Sequence, residues 1–245
     1  HVRTRDNVGN WNSGAFHVGP FYIDTVAPSN PTGWSGSHSL YVWSSDNTIY
    51  ITWSGASDAH SGVYGYSFVW DTSSTTIPDT TVDTTGTSTT SSALASGSSW
   101  YFHVRTRDNV GNWNSGAFHV GPFYIDTVAP SNPTGWSGSH SLYVWSGDNT
   151  IYIVWSGAYD AHSGVYGYSF VWDTSSTTIP DTTVDTTGTS TTSSALATGS
   201  SWYFHVRARD NVGNWASGAY HVGPFYIDTQ APSNPTAWSS SHTLG

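Results

Sequence analysis

Apolar and polar residues alternate along most of this chain, and helical spacing is hard to find. Ile49, Ile51 and Trp53 alternate with Tyr50 and Thr52, and Tyr66, Phe68 and Trp70 alternate with Ser67 and Val69. Trp100, Phe102, Val104 and Thr106 alternate with Tyr101, His103, Arg105 and Arg107, and a fourth run spans Ala117 to Ile125. A period of two places successive side chains on opposite faces, so each run reads as a half-buried strand. Trp53, Trp70 and Trp100 fall on the inward positions. Clusters of Gly, Ser, Asp and Pro lie between the runs and read as turns. Short strands rich in aromatic and β-branched residues, spaced this way, predict an all-β sandwich.

The pattern then returns, almost without change, after 102 residues. Residues 1–102 and 103–204 differ only at Ser45/Gly147, Thr52/Val154, Ser57/Tyr159 and Ser96/Thr198. A fixed period marks a tandem array, and one of about 100 residues is the size of an autonomous domain, not of a solenoid repeat. The predicted organisation is a partial repeat over 1–27, complete sandwiches over 28–129 and 130–231, and the start of another repeat over 232–245. The partial repeat offers a two-stranded hairpin, which is marginal in water, so Val2, Phe16, Phe21 and Ile23 are expected to be wet. With no initiator Met or signal peptide, the sequence reads as a stretch of a longer array.

The order I-x-I-x-W (Ile49 to Trp53), G-Y-x-F-x-W (Gly65 to Trp70), L-x-x-G-x-x-W-x-F-x-V-x-T/A (Leu94 to Thr106) and D-N-x-G-N (Asp108 to Asn112) resembles fibronectin type III. It is similar above all to the type III-like and Ig-like repeats of bacterial and archaeal secreted surface proteins. The resemblance implies tandem sandwiches in an extended array. In the second period it implies strand A over Asn132–Val144, B over Thr150–Trp155 and C over Val165–Trp172. C′ and E then fall within Thr182–Leu196, F spans Trp202–Arg209 and G spans Ala219–Ile227. The family's tyrosine corner is replaced by Trp100 and Trp202, whose indoles can still donate one hydrogen bond. Paired prolines follow each G strand, at Pro28 and Pro31, Pro130 and Pro133, and Pro232 and Pro235. They stiffen the connection and predict a semi-rigid rod.

Composition narrows the function. Charged residues are 9% of the chain, all six bases are arginine, all sixteen acids are aspartate, and the net charge is −10. That balance argues against a phosphate-binding surface, so no nucleic-acid partner is expected. Cys and Met are absent, which removes disulfides and the most oxidisable side chains and suits an extracellular, cell-surface location. No apolar run approaches the ~20 residues of a membrane span. There is no H-E-x-x-H, phosphate loop, G-x-S-x-G or Cys nucleophile, so no enzyme is expected. Histidines such as His60, His119 and His140 read as standing singly. The hydroxyl-dense stretch Thr75 to Ser92 reads as a Thr-rich edge strand or an O-glycan acceptor.

Two sets of residues are candidates for binding. The resemblance places the BC and FG loops near the end of the preceding G strand. Asp126 should then approach Asp160, Asp210 and Asn211, with Asp24, Asp58, Asp108 and Asn109 as the earlier set. Converging carboxylates suit Ca²⁺, which takes six to eight oxygen ligands. The competing reading is turn chemistry, with Asp108 capping D-N-V-G-N and Gly111 at positive φ. Trp34, Trp43 and Trp113, with Trp136, Trp145 and Trp215 one period on, lie outside the inward alternation. They are candidates for packing against other copies of the chain or for stacking on surface glycans. His103, Arg105 and Arg107 share the outward face of strand F, where cross-strand pairing with Asp71 is expected. The function these readings favour is a structural repeat region of an extracellular filament, stalk or surface fibre. The alternative is an adhesin module recognising polysaccharide through its aromatics.

Overall fold

The computed structural model describes residues 1–237 and 239. The part of the expected final strand that falls on 238 and 240–245 lies outside the described residues. Fourteen strands and no helix occur among the described residues. In the first period they are β1 (Gly33–Gly36), β2 (Trp43–Ser44), β3 (Tyr50–Ser54), β4 (Val63–Asp71), β5 (Ser88–Thr90), β6 (Gly97–Asp108) and β7 (Phe118–Ile125). In the second they are β8 (Gly135–Gly138), β9 (Trp145–Ser146), β10 (Tyr152–Ser156), β11 (Val165–Asp173), β12 (Ser190–Thr192), β13 (Gly199–Asp210) and β14 (Tyr220–Ile227). Contacts divide the chain into two compact units, residues 1–36, 50–89 and 101–121 in one, and 37–49, 90–100 and 122–245 in the other.

Each period builds one three-stranded and one four-stranded sheet. The orders are β1-β3-β5 with β2-β7-β6-β4, and β8-β10-β12 with β9-β14-β13-β11. In the second period Ile151, just before β10, and Ile153 and Trp155 of the smaller sheet form one buried cluster with Tyr168, Phe204, Val206, Ala208, Val222, Phe225 and Ile227 of the larger. Residues from both sheets thus share one core, which makes a sandwich. In the other unit the Trp53 ring lies 5.3 Å from Tyr66 and 5.4 Å from Phe102. These are the residues that the period-two alternation turns inward.

Three expectations need correction. Strand A is not continuous over 132–144. Its first part, β8, pairs antiparallel with β10, and the chain then crosses to the other sheet, where β9 pairs parallel with β14. Tyr143, at φ 62°, lies in the crossover. Second, no C′ strand forms; Tyr168 makes only an isolated bridge to Thr186, and the Thr-rich segment contributes just β12. Third, Trp70, Trp100 and Trp202 are half-buried, while Trp53 and Trp155 are buried. Trp100 Nε1 donates to the Ala95 carbonyl at 2.8 Å, and Trp202 repeats the bond to Ala197. Indole therefore makes the back-bond that tyrosine makes in the family's corner. In the opening hairpin, bridged at Val2–Phe16 and Arg5–Trp11, the side chains of Val2, Phe16, Phe21 and Ile23 are exposed.

Candidate functional site: a carboxylate trio after strand β7

Turn chemistry builds this site. Asp210 ends β13, and its Oδ1 accepts the backbone N–H groups of Val212, Gly213 and Asn214 at 2.7–3.0 Å. Its Oδ2 accepts the Asn214 side-chain amide at 2.7 Å. Gly213 sits at φ +108°, which only glycine adopts without strain, so the turn closes tightly enough to aim three N–H groups at one oxygen. Asp160 does the same in the β10–β11 loop, where Oδ1 accepts from His162 and Gly164. Asp126 follows β7, and its backbone N–H donates to the Ser44 carbonyl. Its carboxylate accepts from Val128 and from Ser163 in the Asp160 loop. Asn214 Nδ2 also reaches the Asp126 carbonyl at 3.1 Å, drawing this turn to the end of β7.

The three loops bring one carboxylate oxygen from each of Asp126, Asp160 and Asp210 within 4.8 Å of one another. Asp126 and Asp210 are fully buried. Asp160 Oδ2 is buried and accepts no hydrogen bond. Among the described residues the ion pairs all join histidine to aspartate, and here His162 Nδ1 stands 3.7 Å from Asp126 Oδ1. Asn211 does not face the trio, because its amide donates to the carbonyls of Ser163 and Gly164.

One period earlier the grouping is Asp24, Asp58 and His60, so His60 joins a set for which the sequence offered only acids and Asn109. Asp108 is committed to its turn, accepting from residues 110–112. Asn109 braces the Ser61 and Gly62 carbonyls. Burial pushes the Asp108 carboxyl up, but the Asn112 amide and the turn's N–H groups outweigh it and hold it below its ordinary 3.8. The depressed folded value means stability present above pH ~3.8 and lost as pH falls through the folded value. Thermal melts between pH 5 and 2 should therefore fall steadily. Asp108→Asn should flatten part of that slope, and an unchanged slope would refute the assignment.

The linker prolines are less free than a spacer requires. Pro28, Pro31, Pro130 and Pro133 are buried, whereas Pro232 and Pro235 are exposed. Asn114 Nδ2 donates to the Pro28 carbonyl at 2.7 Å, and Asn30 Oδ1 accepts the Thr106 N–H. Asn132 repeats that contact with Ala208. The segments around Pro28–Pro31 and Pro130–Pro133 are thus fastened to the sandwich that follows them.

Of the candidate aromatics, only Trp145 is open, at 56% exposure. Trp34, Trp43, Trp113, Trp136 and Trp215 are half-buried. Trp34 and Trp136 sit opposite Trp53 and Trp155 in their sheets. Trp113 and Trp215 lie under the guanidinium groups of Arg105 and Arg207, each 5.6 Å from the ring centre. Trp43 packs on Tyr124 and approaches His162 at 5.9 Å. Arg107 stacks over Tyr64, so it is His103 and not an arginine that meets Asp71.

No family model matches the chain. Chitinase A1 of Niallia circulans is 30% identical over 233 residues, which cover 91% of this chain and 30% of that enzyme. Exoglucanase B of Cellulomonas fimi is 27% identical over 237 residues, 90% of this chain and 19% of the enzyme. The chain therefore spans less than a third of either curated relative. Among solved structures, the central fibronectin-III array of RIM-binding protein superposes with a TM-score of 0.27 at 16% identity, covering 89% of this chain and 75% of that one. The chicken CNTN1 FN1–FN3 domains give 0.35 at 16% identity, covering 92% and 74%. What decides the fold is the strand order within each sheet pair, A-B-E against A′-G-F-C. The repeats are fibronectin type III-like. In type III terms the trio joins the end of one G strand to the BC and FG loops of the next repeat.

Proposed function

We propose that this chain is a non-catalytic structural repeat region of an extracellular filament or stalk, in which type III-like sandwiches supply reach and mechanical continuity. The observation that carries this reading is the near-exact reuse of one sandwich whose connecting segment is tied down by buried prolines and Asn side chains. Copies of a binding or catalytic unit gain from divergence, whereas copies of a spacer do not. Assembly partners are other copies of the chain. Electron microscopy of the native material should show ordered fibres; dispersed single molecules at all concentrations would overturn the proposal.

A second reading is favoured by one exposed residue and by the relatives. Trp145 presents an open indole, and the curated relatives carry the names of enzymes acting on chitin and on glucan. The chain would then hold a polysaccharide surface through aromatic stacking. Co-sedimentation with chitin or cellulose that disappears in Trp145→Ala would support it, and no co-sedimentation would remove it.

The carboxylate trio has a mechanical role in the first reading. Ca²⁺ held by Asp126, Asp160 and Asp210 would tie the end of one repeat to the loops of the next. The support is the burial of two of these carboxylates together with the unpartnered Asp160 Oδ2. Isolated buried carboxylates are costly unless a cation or hydrogen bonds compensate them.

A further inference from the structure

The histidines that read as solitary in sequence are paired in space. His103 Nδ1 lies 2.6 Å from His119 Nδ1, and the same pair recurs at His205 and His221. His205 and His221 are direct cross-strand partners of β13 and β14. His103 is on the outward face of β6, yet it is wholly buried. Tyr101 stacks on its ring, and the chain after β4 reaches its far nitrogen. That nitrogen, Nε2, faces two acceptors, Asp71 Oδ1 at 3.2 Å and the Ser73 carbonyl at 3.0 Å. Nε2 must therefore carry the proton, and in the neutral ring Nδ1 then bears the lone pair. His119, exposed to solvent, donates from its own Nδ1.

A fixed imidazole lone pair, backed by a carboxylate on the opposite nitrogen, is how proteins present histidine to a metal. The carboxylate fixes the tautomer and strengthens the donor. We propose that each His103–His119 and His205–His221 pair is a binding site for a divalent transition metal of the copper–zinc class, with Asp71 and Asp173 as the supporting carboxylates. Imidazole suits these ions, and Cu²⁺ binds such donors most tightly among the divalent first-row metals. Two metal–nitrogen bonds of about 2.0–2.1 Å require the nitrogens about 3.0–3.4 Å apart. The two nitrogens must therefore separate and His119 must swing to the side of the His103 lone-pair axis, which its exposed position allows. No proton need be lost, because the one on His119 Nδ1 moves to its Nε2 as the metal takes its place. The hairpin at the start of the chain holds the same pair, His1 and His17, both exposed.

The test is a titration with Cu²⁺ alone at pH 7.5, read by calorimetry and by electron paramagnetic resonance. Two equivalent sites per chain with two-nitrogen coordination are expected, at His103–His119 and His205–His221. The double variant His119→Ala, His221→Ala should lose both while its melting curve stays unchanged. Asp71→Asn with Asp173→Asn should keep the stoichiometry but weaken binding about 10–100-fold. Undiminished binding in the double histidine variant overturns the proposal. So does a single-nitrogen spectrum in the wild-type chain. An unchanged affinity in the aspartate variant removes Asp71 and Asp173 from the site.

Discussion

Replacing Trp155 by alanine should cost the second sandwich about 3–5 kcal/mol and lower its melting temperature by roughly 12–40 °C for a domain of ~100 residues. Trp155 is 1% exposed on β10, the central strand of its sheet. Its ring lies 5.4 Å from both Tyr168 and Phe204 and 6.3 Å from Phe170. Those rings stand on β11 and β13, whose backbones are locked in an eight-residue antiparallel register, so the walls of the vacated space cannot collapse inward. The lost transfer energy and the cavity therefore add. Tyr152 on the same strand points to solvent at 47% exposure, and Tyr152→Thr should stay within about 0.5 kcal/mol. Calorimetry of both variants checks the claim, and equal losses would mean that the inward alternation does not define the core. Trp53→Ala should act in the same way on its own period.

The strands that carry this core were legible because burial on one face imposes alternation on the sequence. Ile49, Ile51, Phe102 and Val104 could occupy no other face. What alternation could not reveal is which side of the outer face is covered. His103, Arg105 and Arg107 alternate outward identically, yet His103 is sealed beneath the chain after β4, while the arginines lie on Trp113 and Tyr64. The signal available was the spacing of 16 between His103 and His119, repeated in every period, which two hairpin strands convert into a direct cross-strand pair. The split of strand A was hidden for a different reason. A chain that changes sheets keeps its apolar residues facing the same core, so the pattern runs on while the pairing partner changes. The aspartates lie between these cases. Topology indicated that the loops of Asp126, Asp160 and Asp210 meet, whereas the commitment of Asp108, Asn109 and Asn211 to local turns depends on backbone geometry that spacing alone does not encode.

Ca²⁺ should raise the melting temperature of the second sandwich by roughly 10–20 °C when present at about a hundred times its dissociation constant, since such occupancy adds about 2.7 kcal/mol. The reason is the balance of charge at the trio. Three carboxylate oxygens crowd within 4.8 Å of one another, and His162, even protonated, brings one positive charge 3.7 Å from Asp126. Hydrogen bonds from N–H groups satisfy Asp210 and one oxygen of Asp160, but they do not cancel the mutual repulsion. Asp160→Asn separates the two contributions by sign. With chelator present it should be neutral or stabilising, because it removes a like charge from the cluster. With Ca²⁺ present it should be destabilising, because it removes a ligand. Mg²⁺ should substitute poorly, since it demands near-ideal octahedral geometry and gives up water reluctantly. Melting curves that coincide in Ca²⁺ and in chelator would exclude the ion. If Asp160→Asn then still stabilised the chain, the trio would be strain left by turn chemistry, relieved in part by His162.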